Sequence, residues 1–118
     1  VLDLSQLKVP EIDFITVWQG DQLVGMVALK HLSEAQCEIK SLRTHPDHLR
    51  KGVARIVLET LIAMATERGH QTVSLETGTT EVYAPANALY RSFDFQPGDV
   101  FGDYVVSDFN SYYHLEIA

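Results

Sequence analysis

Between Leu49 and Arg55 the sequence LRKGVAR sets one glycine among three cations, at the head of a run with helical apolar spacing. Most helix starts carry Ser, Thr, Asp or Asn as a side-chain cap and acidic residues in the first turn. This one has neither. Asp47 lies too far upstream to cap a helix that begins near Gly52. Arg50, Lys51 and Arg55 oppose the helix dipole, by a few tenths to about 1 kcal/mol each. Such a start is tolerated where an external anion satisfies the free N–H groups, and Gly52 lets the backbone approach that anion closely. Capping by water at an exposed basic turn is the alternative. Two other features invite chemistry but read as structural. His45 and His48 have an H-x-x-H spacing, but Pro46 breaks the helix that would align them and no third ligand follows, so no metal site is expected. Cys37 stands on a strand without a Cys-His pattern and reads as a core residue.

The elements that must position this turn follow from periodicity. DFITVWQ (Asp13–Gln19) reads as a strand, Gly20-Asp21 as a tight turn and QLVGMVALK (Gln22–Lys30) as the hairpin partner. A third strand is predicted between Ala35 and Thr44. Its apolar residues switch parity, Cys37 and Ile39 on one face and Leu42 on the other, as at a β-bulge. From Gly52 to Arg68 the apolar positions Val53, Ile56, Val57, Leu61, Met64 and Ala65 follow helical spacing, and Ala54, Leu58 and Ile62 widen the stripe into a buried face. Arg55 and Glu59 are spaced to pair along its outer side, and Arg68-Gly69 is a helix stop. TVSLET (Thr72–Thr77) reads as a strand in a parallel crossover, Pro85–Phe93 as a second helix and SYYHLEI (Ser111–Ile117) as a closing strand. The class is mixed α/β around a central sheet.

One hundred and eighteen residues make one domain, spanning 1–118. With 46% hydrophobic and 21% charged residues the composition is that of a folded globule rather than a disordered chain. No apolar run approaches a membrane span and no leader is visible, so no membrane role is expected. A net charge of -7 disfavours nucleic acid and anionic membranes; it would draw a cationic substrate, and solubility explains it equally well. The single cysteine suits a reducing cytoplasm.

The stretch SLRTHPDHLRKGVARIVLETLI resembles the acetyl-CoA-binding signature of the GNAT superfamily of N-acetyltransferases, in which a bulged strand enters a Gly-x-Gly/Ala loop and a long helix. ALYRSFDF (Ala88–Phe95) resembles the family's Leu-Tyr then aromatic-Gly-Phe run, with Asp94 in place of the Gly. Leu49 replaces the usual Gln or Arg, and Tyr83 the common Asn seven residues before Tyr90. SLETG, YAPANALY and FGDY (Phe101–Tyr104) look like one small bacterial subgroup.

The resemblance implies a GNAT-like acyl-CoA N-acyltransferase fold and direct transfer of acetyl from acetyl-CoA to the amine of a small molecule. It implies that the backbone of Leu42, Arg43 and Thr44 bonds the pantetheine arm, and that Arg50, Lys51, Gly52, Val53, Ala54 and Arg55 hold the pyrophosphate. Tyr90 matches the tyrosine that protonates the departing thiolate. Glu38, fourteen positions before Gly52, matches the catalytic glutamate of the histone-acetylating branch, and Glu76 is its rival as base. A non-catalytic acyl-CoA-binding or structural domain with a degenerate fold is the alternative function. Such folds place a strand and one or two helices ahead of the hairpin, whereas VLDLSQLKVP (Val1–Pro10) reads as a short helical or irregular lead-in stopped by Pro10. Asp13–Gln19 would then be a sheet edge carrying Phe14, Ile15, Val17 and Trp18: either the preceding element is missing from this sequence, or a homodimer through Trp18 or its hairpin covers the edge, and the homodimer is the expectation.

Overall fold

Ile12–Gln19 (β2) is rich in β-branched and aromatic residues, and its burial alternates as a strand's does: Asp13, Ile15 and Val17 turn inward. The computed structural model describes residues 2–9, 11–49 and 52–118, the side chains at 8 and 9 excepted. Gly20, at φ 59°, supplies the left-handed residue of the turn that sends the chain into Gln22–His31 (β3). Gln36–Thr44 (β4) follows antiparallel to β3, then Val53–Glu67 (α1), Thr72–Gly78 (β5), Ala84–Ser92 (α2), Gln96–Pro97 (β6) and Asn110–Glu116 (β7).

The lead-in is the main correction. Leu2–Val9 (β1) is a strand, not a helix or an irregular segment, and pairs antiparallel with all of β2 from Leu2↔Gln19 to Val9↔Ile12. Pro10, expected to stop a helix, lies outside the described residues. Only residues 10 and 11 separate β1 from β2, too few for a helix. β2 is therefore not an edge, and the reason to expect a second copy over Trp18 falls away. Trp18 is half-buried and its indole N–H donates to Thr16 Oγ1 at 3.0 Å. The edge is β1, which carries exposed Leu4 and Leu7.

Among the described residues seven strands form one sheet in the order β1-β2-β3-β4-β5-β7-β6. β4 and β5 are the parallel pair, joined through α1 as a crossover. The core lies between one sheet face and the helices: Ile15, Val27, Leu29, Ile39, Val73 and Leu75 meet Val57, Leu58 and Leu61 of α1 and Tyr90 of α2. Gly25 is where α1 comes closest, since a Cβ there would stand 2.8 Å from Val53 Cγ1. Cys37 is fully buried in this core, where burial pushes its thiol up to about 12, so it stays a neutral thiol.

Both helices end in the same way. At α1, Gly69 takes φ 82° while His70 N–H bonds Ala65 O and Gly69 N–H bonds Thr66 O, the paired bonds of a Schellman cap. At α2, Asp94 takes φ 70°, with Phe95 N–H on Tyr90 O and Asp94 N–H on Arg91 O. Phe95 then packs on Tyr90, ring centres 5.9 Å apart, as the apolar contact of that cap. Asp is among the few non-glycine residues that tolerate this conformation, so the departure from glycine keeps the turn.

Candidate functional site

β4 and β5 are paired only from Gln36↔Thr72 to Ile39↔Leu75, although β4 runs on to Thr44 and β5 to Gly78. The parting has a local cause. The β3–β4 register slips between Met26 and Ala28, which pair with Arg43 and Lys40, so two residues of β4 bulge opposite one of β3. Ser41, in the bulge, sits at φ 57°. β4 thus keeps its ladder to β3 while its other edge, past Ile39, faces a gap. The parity switch at Leu42 carried this signal in the sequence.

The gap is a cleft of about 350 Å³. Ser41, Leu42 and Arg43 line one wall; Glu76, Thr77 and Gly78 line the other. Tyr83, Ala86 and Tyr90 close it from the helix side, and Asn110 from β7. Thr44 lies beyond this lining, paired with Gly25 at the end of β4.

Gly52 caps α1 at φ 81° and ψ 5°, with no side-chain bond to the free N–H groups and no acidic residue in the first turn. A Cβ at Gly52 would meet nothing, so what requires glycine there is the left-handed backbone and not space. Val53 is buried under β3 and offers only its backbone, and Ala54 is half-buried. Arg55 turns away from the expected partner Glu59: its Nη2 donates to Ser92 Oγ at 3.1 Å and its guanidinium lies 4.9 Å from the Phe93 ring centre. It thereby ties α1 to the end of α2. Arg50 and Lys51 lie outside the described residues.

Tyr90 is 7% exposed, packed between Phe95 and Tyr113, and its hydroxyl has no hydrogen-bond partner among the described residues. Burial raises its pKa above the ordinary tyrosine value, so the phenol keeps its proton at the cleft. One turn earlier Asn87 accepts from Thr77 Oγ1 at 2.7 Å and donates to Gly78 O at 3.0 Å. These bonds bolt α2 to the end of β5 and aim Tyr90. Nothing in the sequence reading singled out Asn87; a polar residue facing the sheet from an amphipathic helix was the available signal. Tyr83 lies flat against Gly78, where a Cβ would stand 2.2 Å from its ring.

The two candidate carboxylates differ in place. Glu76 lines the cleft and accepts from Asn110 Nδ2 at 3.1 Å. Glu38 is 3% exposed on the sheet face away from the helices, does not line the cleft, and accepts a hydrogen bond from the Tyr104 hydroxyl. His45 and His48 sit at a 3₁₀ turn bonded to Gln22, and no metal-ligating cluster is found among the described residues.

A model of the acetyltransferase (GNAT) family matches residues 3–95. The uncharacterized N-acetyltransferase YsnE of Bacillus subtilis is 50% identical over 103 residues, covering 87% of this chain and 68% of YsnE. The uncharacterized N-acetyltransferase YedL of Escherichia coli is 36% identical over 117 residues, covering 99% of this chain and 74% of YedL. Among solved structures, a GNAT family acetyltransferase from Elizabethkingia anophelis with acetyl-CoA bound superposes with a TM-score of 0.82 at 11% identity, over 98% of each chain. A Bacillus subtilis acetyltransferase in complex with CoA does so with a TM-score of 0.79 at 16% identity, over the whole of both chains. The splayed parallel strands, the glycine-started helix and the family match agree: the chain belongs to the GNAT family of acetyltransferases.

Proposed function

We propose that the protein transfers acetyl from acetyl-CoA to the amine of a small molecule, in the cytoplasm, with Tyr90 as acid and a carboxylate of the β4–β5 face as base. The observation that carries this is the cleft itself, which sets a buried protonated phenol from the helix side against carboxylate-bearing strands. The residues fit an acyl-CoA. The free edge of β4 at Leu42 and Arg43 suits an extended amide arm, and the uncapped N–H groups after Gly52 suit its pyrophosphate. The thioester supplies an activated acetyl group, and the chain's residues manage the protons.

An acceptor ammonium costs roughly 4.6 kcal/mol to present as the free amine at pH 7, so a base matters. The amine nitrogen bonds the acetyl carbonyl carbon as the C–S bond breaks. Tyr90 gives its phenolic proton to the leaving thiolate. Of the two protons the ammonium sheds on becoming an amide, one restores Tyr90 and the other goes to a carboxylate of the β4–β5 face and on to solvent. Glu76, lining the cleft, meets the ammonium directly, and Glu38 lies one layer behind. Thiol release from acetyl-CoA against a panel of small amines tests this; acetyl-CoA binding without release on any amine would overturn it.

A further inference from the structure

FGDY is a tight turn closed by Tyr104 N–H on Phe101 O, with Gly102 at φ 58°. It lies in the segment between β6 and β7, whose Val105, Val106 and Phe109 are exposed. Yet the segment is fastened along its length. Gly98 N–H bonds Tyr112 O, the His114 ring lies 2.8 Å from Asp99 O, Tyr112 hydroxyl donates to Val105 O, and Thr79 N–H bonds Phe109 O. From this frame Tyr104 reaches across β7 and β5 to Glu38 on β4. Its ring is wedged by Phe101 and Tyr112, at 5.3 and 5.9 Å between centres, and Lys40 Nζ lies 5.7 Å above it.

A buried carboxylate held by one phenol is a costly arrangement. Among the described residues no cation lies within salt-bridge distance of Glu38, and burying a charge with so few partners opposes folding. The charged and titratable groups on its face are Lys30 on β3, Lys40 on β4, Glu76 on β5, and Tyr112 and His114 on β7. Burial and the bond to Glu38 both raise the Tyr104 pKa, so the phenol is a donor at any working pH. A donor fixed by stacked rings selects one rotamer of the carboxylate.

Building on acetyl transfer to an amine as proposed above, we infer that Tyr104 is a positioning residue, its phenol fixing the Glu38 carboxylate, beside Glu76 on the same sheet face, to receive the proton that the acceptor gives up at the cleft. Three variants test this on an amine the wild type acetylates: Tyr104→Phe, Glu38→Gln and the double variant. Tyr104→Phe should lower kcat/KM at pH 7 by about ten- to a hundredfold, the worth of one bond to a charged group. The loss should fall on kcat rather than on KM, because what is lost is the orientation of a proton acceptor and not a binding contact. Acetyl-CoA affinity should hold. In the Glu38→Gln background the Tyr104 change should cost less than about twofold, since the group it acts through is gone. A loss carried by KM, or the same loss in both backgrounds, would overturn the role while leaving acetyl transfer standing. A wild type that binds acetyl-CoA yet acetylates no amine would overturn both.

Discussion

His31 Nδ1 lies 2.8 Å from His70 Nε2, while His31 Nε2 lies 3.1 Å from the Asp13 carboxylate. The two imidazoles stack with ring centres 5.0 Å apart, and Arg68 at the end of α1 closes the cluster on Asp13 at 2.8 Å. The cation read from the sequence as a helix-end charge is thus a partner for a buried carboxylate on β2. The cluster pins the C-terminus of α1 to β2 and β3, at the other end of the helix from the glycine start. A short contact between two ring nitrogens holds one proton. A second would set N–H against N–H, and His70 Nδ1, sealed without a bonded side-chain partner among the described residues, could not relieve it.

Stability should therefore fall in mild acid. Burial, then the neighbouring His31, depress the His70 pKa below its usual 6.5. The unfolded chain then binds the proton more readily than the folded one, so the stability from this site is full above about pH 6.5 and drains as pH falls through the lower folded value. The Tm should drop between pH 7.5 and 5.5, and His70→Asn should flatten that drop. A His70→Asn protein whose Tm falls as steeply as the wild type would remove the site from the explanation.

Tyr90→Phe keeps the packing against Phe95 and Tyr113 and deletes only the hydroxyl at the cleft. Acetyl-CoA affinity should be nearly unchanged and kcat should fall by roughly 10²- to 10⁴-fold, the range for a positioned acid. Steady-state kinetics beside a binding isotherm will separate the two. A fall of only a few-fold would leave water as the proton donor.

Acetyl-CoA should raise the protein's stability by about 2.7 kcal/mol at a hundredfold excess over its Kd. Gly52→Asp forces a side chain into the left-handed region and sets a negative charge at the anion site, and should abolish the shift. Gly52→Ala has room for its Cβ and suffers only the backbone strain, about 1–2 kcal/mol, so it should lose stability yet retain part of the ligand response. An undiminished melting shift in Gly52→Asp would place the pyrophosphate elsewhere.

Asn87→Ala removes both bonds that join α2 to β5 and leaves Gly78 O and Thr77 Oγ1 without that partner. Denaturant melts should show a loss of about 1–3 kcal/mol. Because Asn87 aims Tyr90, kcat should fall too. A destabilised but fully active variant would show that Tyr90 is held by the Phe95 cap alone.

Much of this protein was legible along the chain, for a physical reason. Helix periodicity, the stop at Gly69 and the glycine start at Gly52 depend on residues within a turn of one another, so α1 is Val53–Glu67 where Gly52–Arg68 was read. The bulge in β4 was legible as a parity switch because a strand's faces alternate with its residues. β1 was not. Its apolar residues fall at Leu2 and Leu4, then Leu7 and Val9, a broken alternation that becomes a strand only through the ladder β2 supplies. Arg55 likewise left Glu59 for Ser92, a choice made by where α2 packs.

The site divides the same way. Gly52 was found because it stands in a local pattern, a basic helix start, whereas Tyr90 came from the resemblance of ALYRSFDF to the family's run. Which carboxylate lines the cleft, and which is buried behind it, was decided only by the splay of β4 from β5. The partner of Glu38 stands 66 positions away, and a contact at that separation leaves no period in the sequence. It exists because the sheet order puts β7 beside β5 and lets the turn before it reach across to β4.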